Sequence, residues 1–437
     1  MAQRCFQWRE KLFSMAHPFR VSYTPGMSET MTLAIAGCGA RGRTYARLAH
    51  ELGADRYQVV AAADHKEASL KEISPWCVPD AQFFTSVEEM LDAPRLAETM
   101  VIATQDQHHH GHALAALDKG YHLLLEKPVG CTAEECRDIY ERARERKRRI
   151  VVCFVLRYTP LFQTMREVVD SGAIGRLITM EHVEGVEPFH QAHSFVRGHW
   201  SKPEESTPMI VAKCCHDTDL LTWFAGAPFE SVASAGDLTW FREENAPEGA
   251  PARCTDGCPH SPGCRYDAHR YLRDKKNWLD MVLPGASRKG DDEILDFLLT
   301  SPWGRCAWRC DNGAVDHQVL AIRFQNGVTA TITMTAFEQG RRLRLMGTEG
   351  VLECAPDPEG GSALWLRSHD QAKAERVPIK EPERSGYAGH GGGDFGLIDS
   401  LSTLIRGDQE PGTDSLASHL LAFGAEEARV CGEVVRG

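Results

Sequence analysis

The chain has 437 residues, of which 61 are acidic and 49 basic, giving a formal net charge of −12. We expect no nucleic-acid partner and no anionic-membrane partner, since both favour basic surfaces. No run approaches the roughly 18 apolar residues of a membrane span, and the length predicts two domains. Fifteen scattered cysteines, an odd number in a chain that needs no disulfides, favour a reducing, cytoplasmic location.

The first 30 residues lack a secretory apolar core and a convincing signal-cleavage site. We interpret 1–30 as a loose N-terminal extension, expected to be disordered, with Met27 as an alternative start.

A glycine-rich turn joins the first predicted strand to the first predicted helix within Met31–Leu52. Gly37 permits a sharp exit from the strand, Gly39 allows the backbone to approach a pyrophosphate, and Gly42 lets the helix pack close to the sheet. The helix start offers free N–H groups to the phosphates. The residues predicted to contact the cofactor here are Gly37, Gly39, Ala40, Arg41 and Gly42.

A second apolar run, Tyr57–Ala63, ends at Asp64, about 20 residues beyond the last glycine. A carboxylate there can accept hydrogen bonds from both ribose hydroxyls of an adenosine, and it repels the 2′-phosphate of NADP. NAD is therefore the predicted cofactor, although the neighbouring His65 and Lys66 leave NADP open.

Strands and helices continue to alternate up to residue 149, which predicts a Rossmann domain with a parallel sheet over 31–149. Its further strands are predicted at Gln82–Phe84, Met100–Ala103 and Tyr121–Leu125. Ligands bind beyond the carboxyl ends of such strands, where Thr104 and Lys127 fall. His108 and His112 could share a metal, but their place at a strand end favours cofactor contacts, with His109 as the candidate.

From residue 150 the sequence changes to long β patterns, with a good hairpin turn at Asn326-Gly327. We predict a domain over 150–393 with a mostly antiparallel sheet; that it is a substrate-binding α/β domain with a large, open sheet is what the resemblance described next implies. Its strands are predicted at Leu177–Val186, Ser231–Trp240, His317–Phe324, Thr329–Phe337, Arg342–Met346 and Val351–Cys354. A helical stretch is predicted at Met209–Gly226 and a cysteine-containing insertion at about 243–300. Helices over 394–437 are expected to pack back on the first domain.

These features, in this order, resemble the glucose-fructose oxidoreductase, inositol dehydrogenase and MocA family (Gfo/Idh/MocA). The shared motifs are the G-C-G-A-R-G turn, Asp64, the E-K-P of Glu126–Pro128 and the H-x-x-D of His216–Asp219. The resemblance extends from about Met31 to the C-terminus. It implies a Rossmann domain, a C-terminal α/β domain whose open sheet forms a homodimer or homotetramer, a nicotinamide cofactor, and a sugar or polyol substrate.

The resemblance also implies roles for single residues. Glu126 and Lys127 would lie at the cofactor, Lys127 and His216 would be catalytic, and Asp219 would bind substrate hydroxyls. Hydride transfer requires a proton to leave the reacting hydroxyl. Histidine titrates near neutrality, and a lysine can stabilise alkoxide charge.

One position departs from the family. Many members carry aspartate four residues before the histidine, one helical turn away, whereas this chain has Ala212. We expect Lys213 or Asp217 to take over part of the role of that aspartate and to contact substrate.

Motifs at 192–200, 315–318 and 390–394 are similar to those of one branch of the family. They supply further candidates for the substrate pocket, although Trp200 is equally well a core aromatic. The additional candidates are Arg157, His193, Arg197, Trp200 and His317.

Cys254, Cys258 and Cys264 have the spacing C-x3-C-x5-C in a loop rich in proline and glycine. This spacing resembles a structural zinc site, which needs four ligands. The remaining ligand would come from Cys306, Cys310 or His260. The alternative is a set of reduced thiols beneath a loop.

Three functions are open at this point. The first is an NAD(P)-dependent oxidoreductase acting on a sugar, sugar derivative or inositol. The second is a glycoside hydrolase with tightly bound NAD that oxidises, eliminates, adds water and reduces without net redox change. The third is a non-catalytic, NAD-sensing regulator. Net NADH formation supports the first, aglycone release without NADH the second, and bound NAD without turnover the third.

Overall fold

A computed structural model describes residues 30–283, 285–357, 360–379, 389–407 and 414–437. Residues 1–29, nearly all of the predicted N-terminal extension, lie outside the described residues, so that interpretation stays a prediction.

A six-stranded, entirely parallel sheet forms the centre of the first domain. Its strands are β1 (Met31–Ala36), β2 (Tyr57–Ala63), β3 (Gln82–Phe84), β4 (Thr99–Ile102), β5 (His122–Leu125) and β6 (Ile150–Val152), in the order β3-β2-β1-β4-β5-β6. The helices between them are α1 (Ala40–Leu52), α2 (Glu67–Ile73), α3 (Val87–Asp92), α4 (His109–Asp118) and α5 (Ala133–Arg146). The strand order reverses between β1 and β4, which creates a ligand crevice at their carboxyl ends. The predicted Rossmann sheet is confirmed.

Short polar side chains set the starts of two of these helices. The Thr132 hydroxyl accepts a hydrogen bond from the Glu135 N–H at the start of α5 (3.1 Å). Ser86 accepts in the same way from the Glu89 N–H at the start of α3 (3.0 Å). Each cap satisfies an N–H group that has no partner inside the helix.

The second domain is built on a nine-stranded sheet in the order β14-β13-β12-β11-β7-β10-β9-β8-β15. Its strands are β7 (Leu177–Val186), β8 (Phe229–Asp237), β9 (His317–Phe324), β10 (Thr329–Thr335), β11 (Gln339–Gly347), β12 (Gly350–Pro356), β13 (Ser362–Ser368), β14 (Glu375–Val377) and β15 (Val435–Arg436). Among the described strands of this nine-stranded sheet, only β7 and β10 pair in parallel. The prediction of a mostly antiparallel sheet is confirmed.

The strands β13, β14 and β15 were not predicted. β14 has three residues and β15 has two, too few to show an alternating pattern. In β13 the neighbouring residues Ala363 and Leu364 are both buried, which breaks the alternation expected of a strand with one covered face.

The helical stretch predicted at Met209–Gly226 is two helices, α7 (Met209–Ala212) and α8 (Cys215–Ala225), which follow α6 (Pro160–Asp170). Lys213, at φ −108°, and Cys214, at ψ 6°, leave helical geometry between them. The expectation of one continuous helix is therefore wrong. Because the helix breaks, residue 212 does not stand one regular turn before His216.

The predicted insertion connects β8 to β9. Apart from one α-helix, α9 (Asp291–Thr300), it consists largely of short 3₁₀ turns. Tyr271, Leu279 and Leu298 are fully buried there and pack with Phe189, which comes from the segment after β7. The insertion thus has a small hydrophobic core of its own, which packs on that segment.

Two C-terminal helices, α10 (Gly393–Arg406) and α11 (Asp414–Cys431), pack on different domains. Leu397 of α10 belongs to the same buried cluster as Leu33 of β1. In contrast, α11 packs mainly on α8 and β8, with Leu421 in the core of the second domain. No helix within the described residues is long and apolar enough to cross a bilayer.

An ion-pair network fastens α10 to the start of α1. Arg41 Nε lies 2.6 Å from Glu126 Oε1, and Arg41 Nη2 lies 2.6 Å from Asp394 Oδ1. Although burial alone would raise the pKa of Asp394, its hydrogen bond with His390 and the Arg41 charge hold that pKa well below its usual range.

Replacing Asp394 with asparagine (D394N) should lower stability at neutral pH by about 2 kcal/mol, because Arg41 loses a buried anion. The folded-state pKa of this carboxyl is depressed, so its stabilisation is present above the unfolded-state pKa of about 3.9 and is lost below it. The difference in Tm between wild type and D394N, measured by calorimetry, should persist from about pH 8 to 5 and shrink below about pH 4.

Asp399 offers a matched control on the same helix, since it pairs with Arg56 at 2.7 Å but its side chain is 46% exposed. D399N should change stability by less than about 1 kcal/mol. Equal losses in the two variants would contradict a special role for the buried network.

Candidate active site

The glycine turn between β1 and α1 has the geometry that a dinucleotide requires. Gly37 has φ +90°, and a Cβ there would lie 2.6 Å from the Ala103 carbonyl oxygen. A Cβ at Gly42 would lie 2.0 Å from the Gly37 carbonyl oxygen, so the helix packs against the turn only with glycine. A Cβ at Gly39, in contrast, would meet nothing within 4 Å. The open space beside Gly39, at the amino end of α1 where Ala40 begins the helix, fits a pyrophosphate.

Asp64 stands at the end of β2, next to this turn. Its two carboxylate oxygens accept the backbone N–H groups of Cys38 and Lys66, each at 2.8 Å. These bonds fix the carboxylate at the mouth of the crevice, where the sequence predicted a ribose contact.

The histidines after β4 bind their own neighbours. His109 lies between the carbonyl oxygens of Pro128 (2.7 Å) and Thr104 (3.1 Å). His112 contacts the Thr104 hydroxyl (3.2 Å) and Glu88 (3.1 Å). These contacts explain the tract as support for the turn that follows β4, without a metal.

Arg41 and Glu126, both predicted to contact the cofactor, are engaged with each other in the network described above. Glu126 is 6% exposed and also accepts a hydrogen bond from the Tyr45 hydroxyl (2.5 Å). Their side chains therefore hold the turn and the end of β5 together, and direct cofactor contacts by these two residues stay predictions.

Lys127 follows β5 and reaches across to the second domain. Its Nζ donates a hydrogen bond to the Ala212 carbonyl oxygen at 2.8 Å. Ala212 is the last residue of α7, and carbonyls at a helix end have no partner within the helix. The main chain at position 212 thus holds the lysine, whereas the family motif places an aspartate side chain there.

His216 lies in the first turn of α8 and is 6% exposed. Burial, followed by the charges of Lys127 and Arg341, holds the pKa of this histidine well below its usual value. Its Nδ1 has no hydrogen-bond partner among the described residues. His216 is therefore a neutral imidazole whose buried Nδ1 has no protein partner among the described residues.

A buried polar cluster lies beside this histidine. His182, Glu184 and Asp217 have potential ligand atoms within 4.8 Å of one another. However, Arg341 Nε lies 2.8 Å from Glu184 and 2.9 Å from Asp217, and Lys213 Nζ lies 3.3 Å from Glu184. Two side-chain cations balance the two carboxylates, and we assign no metal to this cluster.

Asp217 is the carboxylate of this cluster whose pKa is lowered. Burial would raise its pKa, but Arg341 and the hydrogen bond with His182 (2.8 Å) hold it well below its usual range. Burial, together with the nearby Asp217 charge, raises the pKa of Glu184. Lys213 and Asp217 were expected to replace the missing aspartate. Asp217 belongs to this cluster and Lys213 contacts it through Glu184, while Lys127 contacts the main chain.

Sequence reasoning missed His190, which comes shortly after β7. Burial and then nearby cations, Lys213 and Lys127 among them, hold the pKa of His190 well below its usual value. Its ring centroid lies 4.9 Å from that of Trp278. The insertion therefore contributes to the wall around Lys127. The sequence signal for a polar site in this region was a pair of polar residues, His182 and Glu184, at alternate positions of β7, both of which are buried.

Two predicted substrate residues, Arg157 and Asp219, bind each other. Their side chains make two N–O contacts of 2.7 and 2.6 Å, and Asp219 is 1% exposed. The Ser418 hydroxyl of α11 donates to the same carboxylate at 3.0 Å. This arrangement favours a structural pair between α8 and its neighbours.

The remaining substrate candidates each have protein partners of their own. Arg197 donates hydrogen bonds to the Arg305 and Tyr266 carbonyls inside the insertion (2.8 and 2.6 Å), and His193 contacts the Tyr271 hydroxyl (2.6 Å). Trp200 Nε1 donates to Asp106 after β4 at 2.9 Å, which ties the two domains together. His317 begins β9 and contacts Asp316 at 2.8 Å.

The NAD-binding Rossmann domain of an oxidoreductase family, Gfo/Idh/MocA, matches residues 31–154, and the C-terminal alpha/beta domain of that family matches residues 166–384. This chain belongs to the Gfo/Idh/MocA family. It is accordingly an NAD(P)-dependent oxidoreductase with an NAD-binding domain.

The similarity of this chain to its relatives differs in identity and in the length that is covered. The chain is 24% identical to YteT of Bacillus subtilis over 342 residues, covering 75% of this chain and 76% of YteT. It is 30% identical to inositol 2-dehydrogenase of Agrobacterium fabrum over 207 residues, 46% of this chain and 56% of that enzyme. The scyllo-inositol dehydrogenase of Lactobacillus casei, solved with NAD(H) and scyllo-inositol, has the same fold, with a TM-score of 0.61 at 15% identity over 93% of this chain and 99% of that one.

Two alanine substitutions in the glycine turn should separate packing from cofactor binding. G42A should lower the free energy of unfolding of the cofactor-free protein by more than about 2 kcal/mol, and with it the Tm, because the added Cβ meets a main-chain oxygen. G39A should leave that Tm unchanged and weaken NAD binding at least about tenfold, because its Cβ occupies the space of the pyrophosphate. Calorimetry of folding and of NAD binding measures both effects. An equal loss of Tm in G39A would contradict the open geometry at Gly39.

Replacing Asp219 with asparagine (D219N) should destabilise the protein by about 3 kcal/mol, because the largely buried Arg157 loses its anion. D170N is the matched control, since Asp170 pairs with Arg166 while 41% exposed, and should cost less than about 1 kcal/mol. Thermal unfolding compares the two. An unchanged Tm in D219N together with a raised KM would favour direct substrate binding instead.

Proposed function

We propose that this protein is an NAD-dependent dehydrogenase of a sugar, sugar derivative or inositol, exchanging hydride at a hydroxyl-bearing carbon. The observation that carries the proposal is the contact of Lys127, from the first domain, with the end of α7 in the second, immediately before the neutral His216. A cation and a neutral base thus share one site at the carboxyl edge of the Rossmann sheet.

The cofactor site fits NAD. The open space at Gly39 and the amino end of α1 suit the pyrophosphate, and Asp64 suits an unphosphorylated ribose. Bound NAD would supply the hydride acceptor. A carboxylate at position 64 disfavours NADP by charge repulsion, which supports NAD as the cofactor used.

Proton movement is the part of the reaction that this chain's own residues perform. Alcohol oxidation requires a base, and His216 is held in its neutral form by burial and by the Lys127 and Arg341 charges. Lys127 Nζ can stabilise negative charge that develops on the reacting oxygen. A positioned general base contributes about 10²- to 10⁴-fold to the rate.

A polyhydroxylated substrate suits the polar wall of the site. Lys213 Nζ and the half-buried His190 lie near Lys127 and offer nitrogen atoms to hydroxyl groups. Relatives named inositol 2-dehydrogenase and scyllo-inositol dehydrogenase support the same substrate class. A homodimer or homotetramer through the open face of the nine-stranded sheet, where Val319 and Trp365 are 47% and 38% exposed, belongs to the proposal.

The test incubates the purified protein and NAD with inositol isomers, free sugars and aryl glycosides, and follows NADH absorbance and released aglycone together. We expect NADH formation with an inositol or sugar and no aglycone release. Aglycone without NADH would replace the proposal with redox-neutral hydrolysis, and bound NAD without any turnover would replace it with a sensing role.

With a substrate in hand, K127M and H216N should each reduce kcat about 10²- to 10⁴-fold, with a much smaller change in NAD affinity. K119M is the control, since Lys119 Nζ also donates to a main-chain carbonyl, that of Ala93 at 2.8 Å, on the exposed end of α4. It should keep wild-type rates. Normal turnover in K127M would contradict the catalytic assignment.

A further inference from the structure

Two cysteines face the same side of a short bridge in the insertion. Arg253 and Arg305 pair as an isolated antiparallel bridge. Beside it, the Cys254 N–H donates to the Gly304 carbonyl (2.9 Å) and the Cys306 N–H donates to the Ala252 carbonyl (2.9 Å). Because side chains alternate along each segment, Cys254 and Cys306 project from one face. The bridge therefore joins two segments that lie far apart in sequence and places two thiols on the same face.

A narrow cleft at this point is bordered by four cysteines: Cys254, Cys258, Cys264 and Cys306. All four are free thiols. A fifth, Cys310, does not border the cleft; its thiol donates to the Cys306 carbonyl at 3.3 Å. The remaining sequence candidate, His260, is exposed and contacts the Glu248 carbonyl (2.8 Å). Four cysteines therefore border one cleft, with the exposed His260 at its edge.

A buried charge faces these thiols. Arg197 is 3% exposed, and none of its contacts within the described residues is to a carboxylate. Its Nη2 lies 3.8 Å from Cys254 Sγ. Buried charges in proteins are normally paired, so thiolate charge is the natural partner of this guanidinium.

We infer that Cys254, Cys258, Cys264 and Cys306 form a structural zinc site whose negative charge is partly compensated by Arg197. Four thiolates are a common closed ligand set for zinc, and soft sulfur ligands favour it over magnesium or calcium. A site with four protein ligands has no open position for substrate, so this zinc holds structure and takes no part in hydride transfer.

The thiols must move to bind the metal. Among the described residues, no three of these Sγ atoms lie within 4.8 Å of one another, whereas thiolates around one zinc stand about 3.8 Å apart. Rotation of the cysteine side chains into the cleft, with loss of their protons, closes the site. The stabilised segment contains mainly 3₁₀ turns, which gain little from regular hydrogen bonding.

The test begins with wild-type protein produced in zinc-supplemented medium and purified without chelators. Elemental analysis should find one zinc per chain, and titration with a mercurial reagent should release it as four thiols react. C306S should lose the zinc while keeping NAD binding, which reports on folding of the first domain. C310S is the matched control and should keep one zinc per chain.

Several results would overturn the inference. They are wild-type protein that takes up no zinc after reduction and anaerobic addition of zinc chloride, zinc retained in C306S, or zinc lost in C310S. A disulfide among these cysteines, found by alkylation and mass spectrometry, or the visible absorption of an iron–sulfur cluster would also exclude it. If C306S does not fold, the mercurial titration of wild type decides the question alone.

Discussion

The hydrogen bond from Lys127 Nζ to the Ala212 carbonyl oxygen is the contact on which the candidate active site depends. It joins the end of β5 to the end of α7, and thereby fixes one domain against the other where the catalytic groups meet. The break between α7 and α8 exposes that carbonyl, so the site holds its lysine without the aspartate of the family motif. Because the acceptor is neutral, this contact leaves the ammonium charge of Lys127 uncompensated.

Charge compensation around this contact is organised in separate groups. Arg41 is balanced by Glu126 and Asp394, while Arg341 is balanced by Glu184 and Asp217. Each group joins elements distant in sequence within one domain, so the pairs hold those elements together as well as satisfy their charges. Asp217 is tied to Arg341 and His182, so its charge is compensated within its own group, while burial keeps the pKa of the neighbouring His216 well below its usual value.

The sequence permitted accurate prediction wherever a local rule applied. The turn from Gly37 to Gly42 follows from backbone sterics, and the two sheets follow from periodicity and chain order. Contacts that depend on tertiary structure were missed. Neither the main-chain role of Ala212 nor the cluster of His182, Glu184 and Arg341 has a local signature, since the helix break and the strand pairing that create them arise only on folding.

The same distinction explains the outcome for the substrate candidates. Asp219 was assigned to substrate from the H-x-x-D motif and Arg157 was a further candidate, yet buried polar residues must first be satisfied by one another. In the structure they are, at 2.6–2.7 Å. His190 was missed because its importance comes from the cations that the fold brings near it, Lys213 and Lys127.

The insertion reaches the surroundings of the candidate site through one aromatic ring. Lys127 follows β5 of the first sheet, and His216 lies in α8 of the second domain. The ring of Trp278, however, comes from the insertion and packs on His190 at the edge of the site. A wall built from 3₁₀ turns holds its shape only if those turns are fixed. Whatever fixes the cysteine-bearing segments therefore also bears on the position of Trp278 beside His190.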